Sequence, residues 1–87
     1  MAAAYSYVTT SGAVKSGPGL LVGAVLSSGA AAGVTLKDGG ASGATLVNLR
    51  LGGAGTAVFT PAVPVAFSGG LYCTVDSGTV EVTVVYV

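Results

Sequence analysis

The stretch LYCTVDSGTVEVTVVYV, residues 71–87, decides the fold class of this chain. Valine and threonine dominate its second half, and such β-branched residues favour strands. An Asp76-Ser77-Gly78 turn separates that half from the apolar run before it, with Gly78 supplying a positive φ. The stretch therefore predicts a β-hairpin made of strands 70–75 and 78–87.

The rest of the chain has the same character. Gly and Val each account for 15 of the 87 residues, whereas the helix-favouring residues Glu, Lys, Gln, Met and Arg are scarce. Apolar runs recur between Gly, Ser, Asp or Pro clusters, a spacing typical of a sandwich or a small barrel. We predict eight short strands, at 4–10, 20–28, 34–40, 43–51, 56–60, 61–67, 70–75 and 78–87. All belong to a single domain, 1–87, in which residues 1–19 form an N-terminal arm or strand and a loop over 11–19.

Several strands carry a positional signal. The run 20–28 is apolar on both alternations, which predicts a central strand covered on both faces. Pro61 and Pro64 cannot donate to a ladder, so 61–67 is predicted to be an edge or interrupted strand. An Asp38-Gly39 turn ends the strand 34–40. Alternation assigns the residues of two strands to opposite sides. In 43–51, one side has Thr45, Val47, Leu49 and Leu51, and the other, more polar side has Leu46, Asn48 and Arg50. In 78–87, one side has Val80, Val82, Val84 and Tyr86, and the other has Glu81, Thr83, Val85 and Val87.

Charge is the most unusual property of the composition. Asp, Glu, Lys and Arg make up 7% of the chain, against about 25% in an average soluble domain. The six charged residues cancel to zero net charge, which favours association with other copies or with a larger assembly. Three basic residues are too few for nucleic-acid binding through phosphates. No run approaches the roughly 20 apolar residues of a membrane-spanning helix, so we expect no membrane partner.

Two short features could mislead. Lys15 followed by LLVGAVLSSGAAA (20–32) looks like a secretory leader, but fourteen residues precede that lysine, so we expect a strand of the mature chain. Cys73 is the single cysteine, which excludes an internal disulfide; in its apolar run it is predicted to be a small buried hydrophobe. The Gly-rich stretches 39–45 and 51–57 lack the lysine of a phosphate-binding loop and are predicted to be turns.

Candidate catalytic groups are few. The chain has no His, and its carboxylates are Asp38, Asp76 and Glu81. Asp38 and Asp76 occupy turn positions, where a side chain usually caps its own backbone. Glu81 sits mid-strand, where an outward charge deters edge pairing. We therefore predict no catalytic, cofactor or metal site and no small-molecule substrate. A metal site built from one Asp of each of three subunits stays open.

Four tyrosines, at positions 5, 7, 72 and 86, are the one feature that suits a sugar-binding platform. The alternative is that each ring is buried with its hydroxyl at the rim of a sheet, which is the commoner arrangement for strand tyrosines.

The strands also carry a resemblance. The succession GPGLLVGAVLSSG (17–29), GVTLKDGG (33–40) and SGGLYCTVDSGTVEVTVVYV (68–87) resembles small virion structural proteins of tailed bacteriophages. The resemblance covers about residues 17–87 and implies a capsid decoration, or cement, protein that forms homotrimers and binds the major capsid protein. It further implies a compact, jelly-roll-like β-sandwich on the capsid surface of the virion, synthesised in the host cytoplasm. It assigns no functional residue, because such proteins act through surfaces.

Two hypotheses follow. The first is a decoration protein that contacts its neighbours through the N-terminal strand, with Tyr5 and Tyr7, and through the proline-bearing edge at 61–67. The second is a receptor- or glycan-binding module of a tail or fibre, in which the exposed tyrosines bind the ligand.

Overall fold

The computed structural model describes residues 3–87, which fold into two antiparallel β-sheets packed face to face. Within that range there are nine strands and no helix. The strands are β1 (Ala4–Val8), β2 (Gly12–Ser16), β3 (Gly19–Ser28), β4 (Ala32–Asp38), β5 (Ala44–Leu51), β6 (Gly55–Phe59), β7 (Val65–Phe67), β8 (Gly70–Ser77) and β9 (Glu81–Tyr86). The all-β sandwich expected from the sequence is confirmed.

The strand order is that of a jelly roll. Sheet A has the order β1-β9-β3-β6, with β7 also paired to β3, and sheet B has the order β2-β8-β4-β5. β6 and β7 lie one after the other along the same edge of β3, so they act as one interrupted strand. The chain passes from one sheet to the other at almost every connection, which winds two Greek keys into one sandwich. The jelly-roll-like architecture is therefore confirmed, and the ninth strand is β2, which the sequence analysis did not predict.

The core lies between the sheets and is apolar. Val82 and Val84 on β9, and Val80 just before it, are all buried, so the residues that alternation assigned to one side face the core. The neighbouring strand β3 contributes Leu21 and Leu26. The full set of buried apolar residues is Leu21, Ala24, Leu26, Ala32, Val34, Leu36, Leu49, Phe67, Leu71, Cys73, Val80, Val82 and Val84. Cys73 is thus the small buried hydrophobe that was expected, and it is free.

The edge prediction for the proline-bearing segment is confirmed. β7 covers only Val65–Phe67, and the residues before it, including Pro61 and Pro64, leave the ladder. Proline has no N–H to donate, so an interrupted edge is where it does least harm. The sandwich consequently has a notch at 60–64 in the outer edge of sheet A.

Two predictions about β2 and the last hairpin are wrong. Residues 11–19 were expected to be a loop, yet Gly12–Ser16 forms β2, an edge strand paired with β8. The strands before and after Gly78 do not pair with each other, because β8 lies in sheet B and β9 in sheet A. Gly78 does have the expected positive φ, 76°. It turns the chain between the sheets instead of closing a hairpin.

Two side assignments need correction. β3 is central, as expected, but only its inward face is covered, because its outward Leu20 remains exposed. In β5 a bulge shifts the register between Val47 and Thr45, which places Leu46 against the core and Thr45 in solvent. The sides predicted for residues 47–51 are otherwise those observed.

Candidate interaction surface

The charged residues are distributed very unevenly between the two sheets. Five of the six lie on strands of sheet B, and one lies on sheet A. Sheet B carries Lys15 on β2, Lys37 and Asp38 on β4, Arg50 on β5 and Asp76 on β8, whereas sheet A carries Glu81 on β9. By register, Lys37, Arg50 and Asp76 lie on the outer face of sheet B, whereas Lys15 and Asp38 pair with the buried Leu71 and lie on the other side of their strands.

The outer face of sheet B holds a polar network. The hydroxyl of Thr35 donates to Oδ2 of Asp76 at 2.6 Å, and Nδ2 of Asn48 donates to Oγ1 of Thr35 at 2.6 Å. Asn48 also lies 3.3 Å from the same carboxylate oxygen, and Arg50 lies 3.9 Å from it. Thr74 stands opposite Thr35, with its hydroxyl buried and without a partner among the described residues. Asp76 on β8 thus contacts side chains of β4 and β5. The expectation that it caps its own turn is wrong.

Asp38 also acts at long range. Its carboxylate accepts hydrogen bonds from the backbone N–H of Gly69 at 2.8 Å and of Ser68 at 3.1 Å, and from the Ser68 hydroxyl at 3.3 Å. These bonds, the one from Gly69 foremost, lower the pKa of Asp38 below its usual range. The structural role expected for Asp38 holds, but it caps the β7–β8 connection, not its own turn.

The outer face of sheet A is mostly apolar. Antiparallel partners share a face, and the register aligns Tyr7, Thr83, Val25 and Val58 in one row across four strands, about 14 Å at the usual strand spacing. The neighbouring row contains Tyr5, Val85 and Gly23. The exposed fractions of the largest side chains on this face are 75% for Tyr5, 59% for Tyr7, 38% for Leu20 and 59% for Val58.

A single carboxylate bounds this face. The third row holds Glu81, Ser27 and Thr56, so the face changes from polar at that end to apolar at the end with Leu20. The Tyr7 hydroxyl donates to Oε1 of Glu81 at 2.6 Å, which raises the pKa of Tyr7. Glu81 was expected to deter edge pairing. It does point outward, but β9 is flanked by β1 and β3 and is not an edge.

The predicted contact segments lie at the two edges of this one face. β1, with Tyr5 and Tyr7, forms one edge of sheet A, and the segment 61–67 belongs to the other. Val63, in the notch of that second edge, is 76% exposed. The sequence interpretation did not single out Leu20 or Val58, although both lie in strands that it identified. The available signal was the apolar character of both sides of 20–28.

The four tyrosines do not form one platform. Tyr5 and Tyr7 share the outer face of sheet A, whereas Tyr72 lies on sheet B opposite Lys37. Tyr86 packs against the core, and its hydroxyl lies 3.2 Å from the Ser6 hydroxyl. Any aromatic ligand surface is therefore limited to the β1 pair.

A shallow cleft of about 440 Å³ opens at one end of the sandwich. It lies between the β3–β4 and β8–β9 connections, and Glu81 is the one titratable residue among the eight that line it. The Ser28 hydroxyl in its wall already donates to the carbonyl oxygen of Thr79 at 2.7 Å. Among residues 3–87 no three His, Cys, Asp or Glu side chains come together as a metal site.

The described residues also contain no helix long and apolar enough to cross a membrane. The large apolar side chains that are exposed among residues 3–87 lie on strands of sheet A or in the notch at its edge. Comparisons of the chain with protein-family models, with curated proteins and with solved structures find no match.

Proposed function

We propose that this chain is a structural protein that decorates a bacteriophage capsid, where it binds the major capsid protein, associates with its own copies and acts without catalysis. The observation that carries the proposal is the segregation of the two outer faces. The outer face of sheet A presents Tyr5, Leu20 and Val58 to solvent, while the outer face of sheet B carries the charged side chains of Lys37, Arg50 and Asp76. A protein that sits on a shell needs one face to be covered and one to remain wet.

The size of the face suits such a contact. A rectangle of 34 by 25 Å, the two longer dimensions of the molecule, has an area of about 850 Å², close to the ~800 Å² that each partner buries in a standard interface. At about 25 cal/mol per Å², each ~100 Å² of apolar surface that is covered supplies a gross ~2.5 kcal/mol. Association itself costs about 4–15 kcal/mol. The remainder, repeated over many copies, would stabilise a shell.

The phage assignment draws on the strand motifs that resemble virion structural proteins, and jelly rolls occur among viral capsid proteins. A shared fold alone does not establish a function. The mostly apolar outer face of sheet A, with Glu81 as its one charged residue, supports the assignment independently, because a face of this kind favours association over solubility. In this proposal sheet A faces the capsid and neighbouring copies, and sheet B faces water.

The test is a particle-binding experiment with two matched variants. Head particles assembled without this chain are mixed with the purified protein and sedimented. Val58→Lys places a charge on the outer face of sheet A, whereas Thr45→Lys places the same charge at an exposed position of sheet B. We expect the wild type and Thr45→Lys to sediment with the particles and Val58→Lys to lose at least about tenfold in affinity.

Two results would contradict the proposal. If the wild-type protein does not bind the particles, the decoration function is wrong. If it binds and Val58→Lys binds equally well, a different surface makes the contact.

The second candidate function is a glycan- or receptor-binding module of a tail or fibre. The exposure of Tyr5 and Tyr7, which are two residues apart on β1 and share its outer face, favours this function, because aromatic rings on a solvent-facing surface can stack on sugars. Binding to a glycan array that is lost in Tyr5→Ala, without particle binding by the wild type, would favour this function over decoration.

A further inference from the structure

The sandwich has four sheet edges, and they differ in how they are protected. β1 and the β6–β7 pair bound sheet A, while β2 and β5 bound sheet B. The outer edge of such a strand presents unpaired N–H and C=O groups that can pair with another chain. Natural sheets protect these edges with lysines, prolines, bulges and other charged side chains.

Three of the edges carry such protection. β2 is bulged next to Lys15, whose ammonium group donates to the carbonyl oxygen of Pro18 at 3.0 Å. β5 is bulged at Leu46 and carries the exposed Arg50. The β6–β7 edge is interrupted by the proline-bearing residues 60–64. Each device disfavours the addition of another strand.

β1 carries none of them. Its sequence, AYSYV, contains no charge, no proline and no glycine. All five residues pair with β9 without a register shift, from Ala4 opposite Tyr86 to Val8 opposite Val82. Among residues 3–87, β9 is the single strand that pairs with β1. β1 is therefore a regular, uncharged edge with one side open.

We propose that β1 pairs antiparallel with β1 of a second copy, so that sheet A continues across a twofold axis. Cross-strand partners must lie on the same face, so only registers that keep Tyr5 and Tyr7 outward are compatible with both cores. The register centred on Ser6 fulfils this condition. It places Tyr5 opposite the second copy's Tyr7 and Ala4 opposite its Val8, and it uses all five residues of each strand.

A second copy fits this edge better than a charged peptide would. A twofold contact requires a surface that complements itself. β1 meets this requirement, because Tyr5 of each copy lies opposite Tyr7 of the other. The nearest ion, Glu81, already accepts the Tyr7 hydroxyl and lies at the polar end of the face. Pairing also joins two outer faces of sheet A into one larger apolar surface.

The contact is modest in size. Five paired residues bury less than the ~800 Å² per partner of a standard interface, so we expect a dimer in the micromolar range. The dimer does not depend on the proposed function, because no capsid is needed to form it. Its twofold symmetry also distinguishes it from the trimer that the phage resemblance implies.

Sedimentation velocity of the whole chain over a wide concentration series tests the dimer. Tyr5→Glu introduces a charge at the seam, and Thr56→Glu introduces the same charge at an exposed position of the opposite edge of sheet A. We expect a monomer–dimer equilibrium whose dissociation constant rises at least about tenfold in Tyr5→Glu. Thr56→Glu should leave it within about twofold. Circular dichroism checks that both variants are folded.

A disulfide tests the register. In the register centred on Ser6, the two Ser6 Cβ atoms lie about 4.5–5.5 Å apart, near the range that a disulfide spans. Ser6→Cys should therefore form a covalent dimer on mild oxidation. Ala13→Cys, on the protected edge β2, should not, and the buried Cys73 provides no competing thiol.

A strict monomer, a trimer as the smallest assembly, a dimer indifferent to Tyr5→Glu, or no cross-linking of Ser6→Cys would overturn the proposal. Particle binding by a monomeric wild type would remove the strand pairing alone and leave the decoration function intact.

Discussion

Val84 and Val85 are neighbours on β9 that should respond very differently to the same substitution. Val84 is fully buried between the sheets, whereas Val85 points to the outer face of sheet A and is half-buried. Replacement by alanine removes the same two methyl groups and the same β-propensity at both positions. The difference between the two variants therefore isolates what covers each side chain in the monomer.

The expected magnitudes follow from burial. At Val84, two buried methyl groups are worth about 0.8 kcal/mol each, and the cavity left behind raises the loss to about 2–3 kcal/mol. At Val85 we expect less than about 1 kcal/mol, as for partly exposed positions. The whole domain has roughly 4–13 kcal/mol of stability at 0.05–0.15 kcal/mol per residue. Val84→Ala should thus lower Tm by roughly 10–20 °C.

Urea denaturation of dilute protein, followed by circular dichroism, measures both losses. The slope of the transition should be unchanged, so that a shift of the midpoint reports stability. Equal losses in the two variants, or a larger loss in Val85→Ala, would show that the outward side of β9 is covered within the monomer. In that case sheet A would have no free apolar face, and the surface proposed for capsid binding would not exist.

Three further predictions concern single sites. Asp38→Asn should destabilise the chain. Because hydrogen bonds lower the pKa of Asp38 in the folded state, its contribution to wild-type stability should be complete above the ordinary pKa of about 3.9 and should be lost as the pH falls below that value. Denaturation midpoints across an acid pH series measure this loss. Gly78→Ala should cost about 1–3 kcal/mol, since φ is 76° and the new Cβ would meet the Ala31 carbonyl oxygen, whereas Gly12→Ala, with open space around it, should be nearly neutral in the same assay. Burial raises the pKa of the Cys73 thiol, with the Asp76 carboxylate adding to it, so iodoacetamide should label Cys73 only in denaturant; labelling of the native chain would contradict its burial.

Local periodicity was enough to predict the class of the fold and much of its core. Alternation alone groups Val80, Val82 and Val84 on one side of the last strand, because the polar Glu81 and Thr83 separate them, and that side is buried. The edge at 61–67 follows from the chemistry of proline. These features depend on residues close together in the chain, and no knowledge of the partner strand is needed to infer them.

The pairing of strands could not be predicted in the same way. A turn with a positive φ at Gly78 is required both for a hairpin and for a passage between two sheets, so the sequence does not distinguish them. β2 was missed because a bulge beside Lys15 breaks its alternation. The bulge at Leu46 likewise reverses two side chains of β5, and such insertions are defined only by the strand opposite.

Only part of the outer face of sheet A could be predicted, because the rest depends on how the strands pair. Tyr5 and Tyr7 were identified because the N-terminal strand that carries them was predicted to be an exposed edge. Leu20 and Val58 were not, since a strand that is apolar on both sides does not reveal which side faces outward. Only the registers of β3 with β7 and with β6 place Leu20 and Val58 on the exposed face.

The outward valines of sheet A are not explained by the stability of the monomer. Val25, Val58 and Val85 lie on the side of the sheet away from the core, where threonine would keep the β-propensity and interact better with water. The outer face of sheet B does carry polar residues, among them Thr35, Asn48 and Asp76. Both sheets belong to one chain and one solvent, so this difference between the two outer faces supports the proposal that a partner covers the outer face of sheet A.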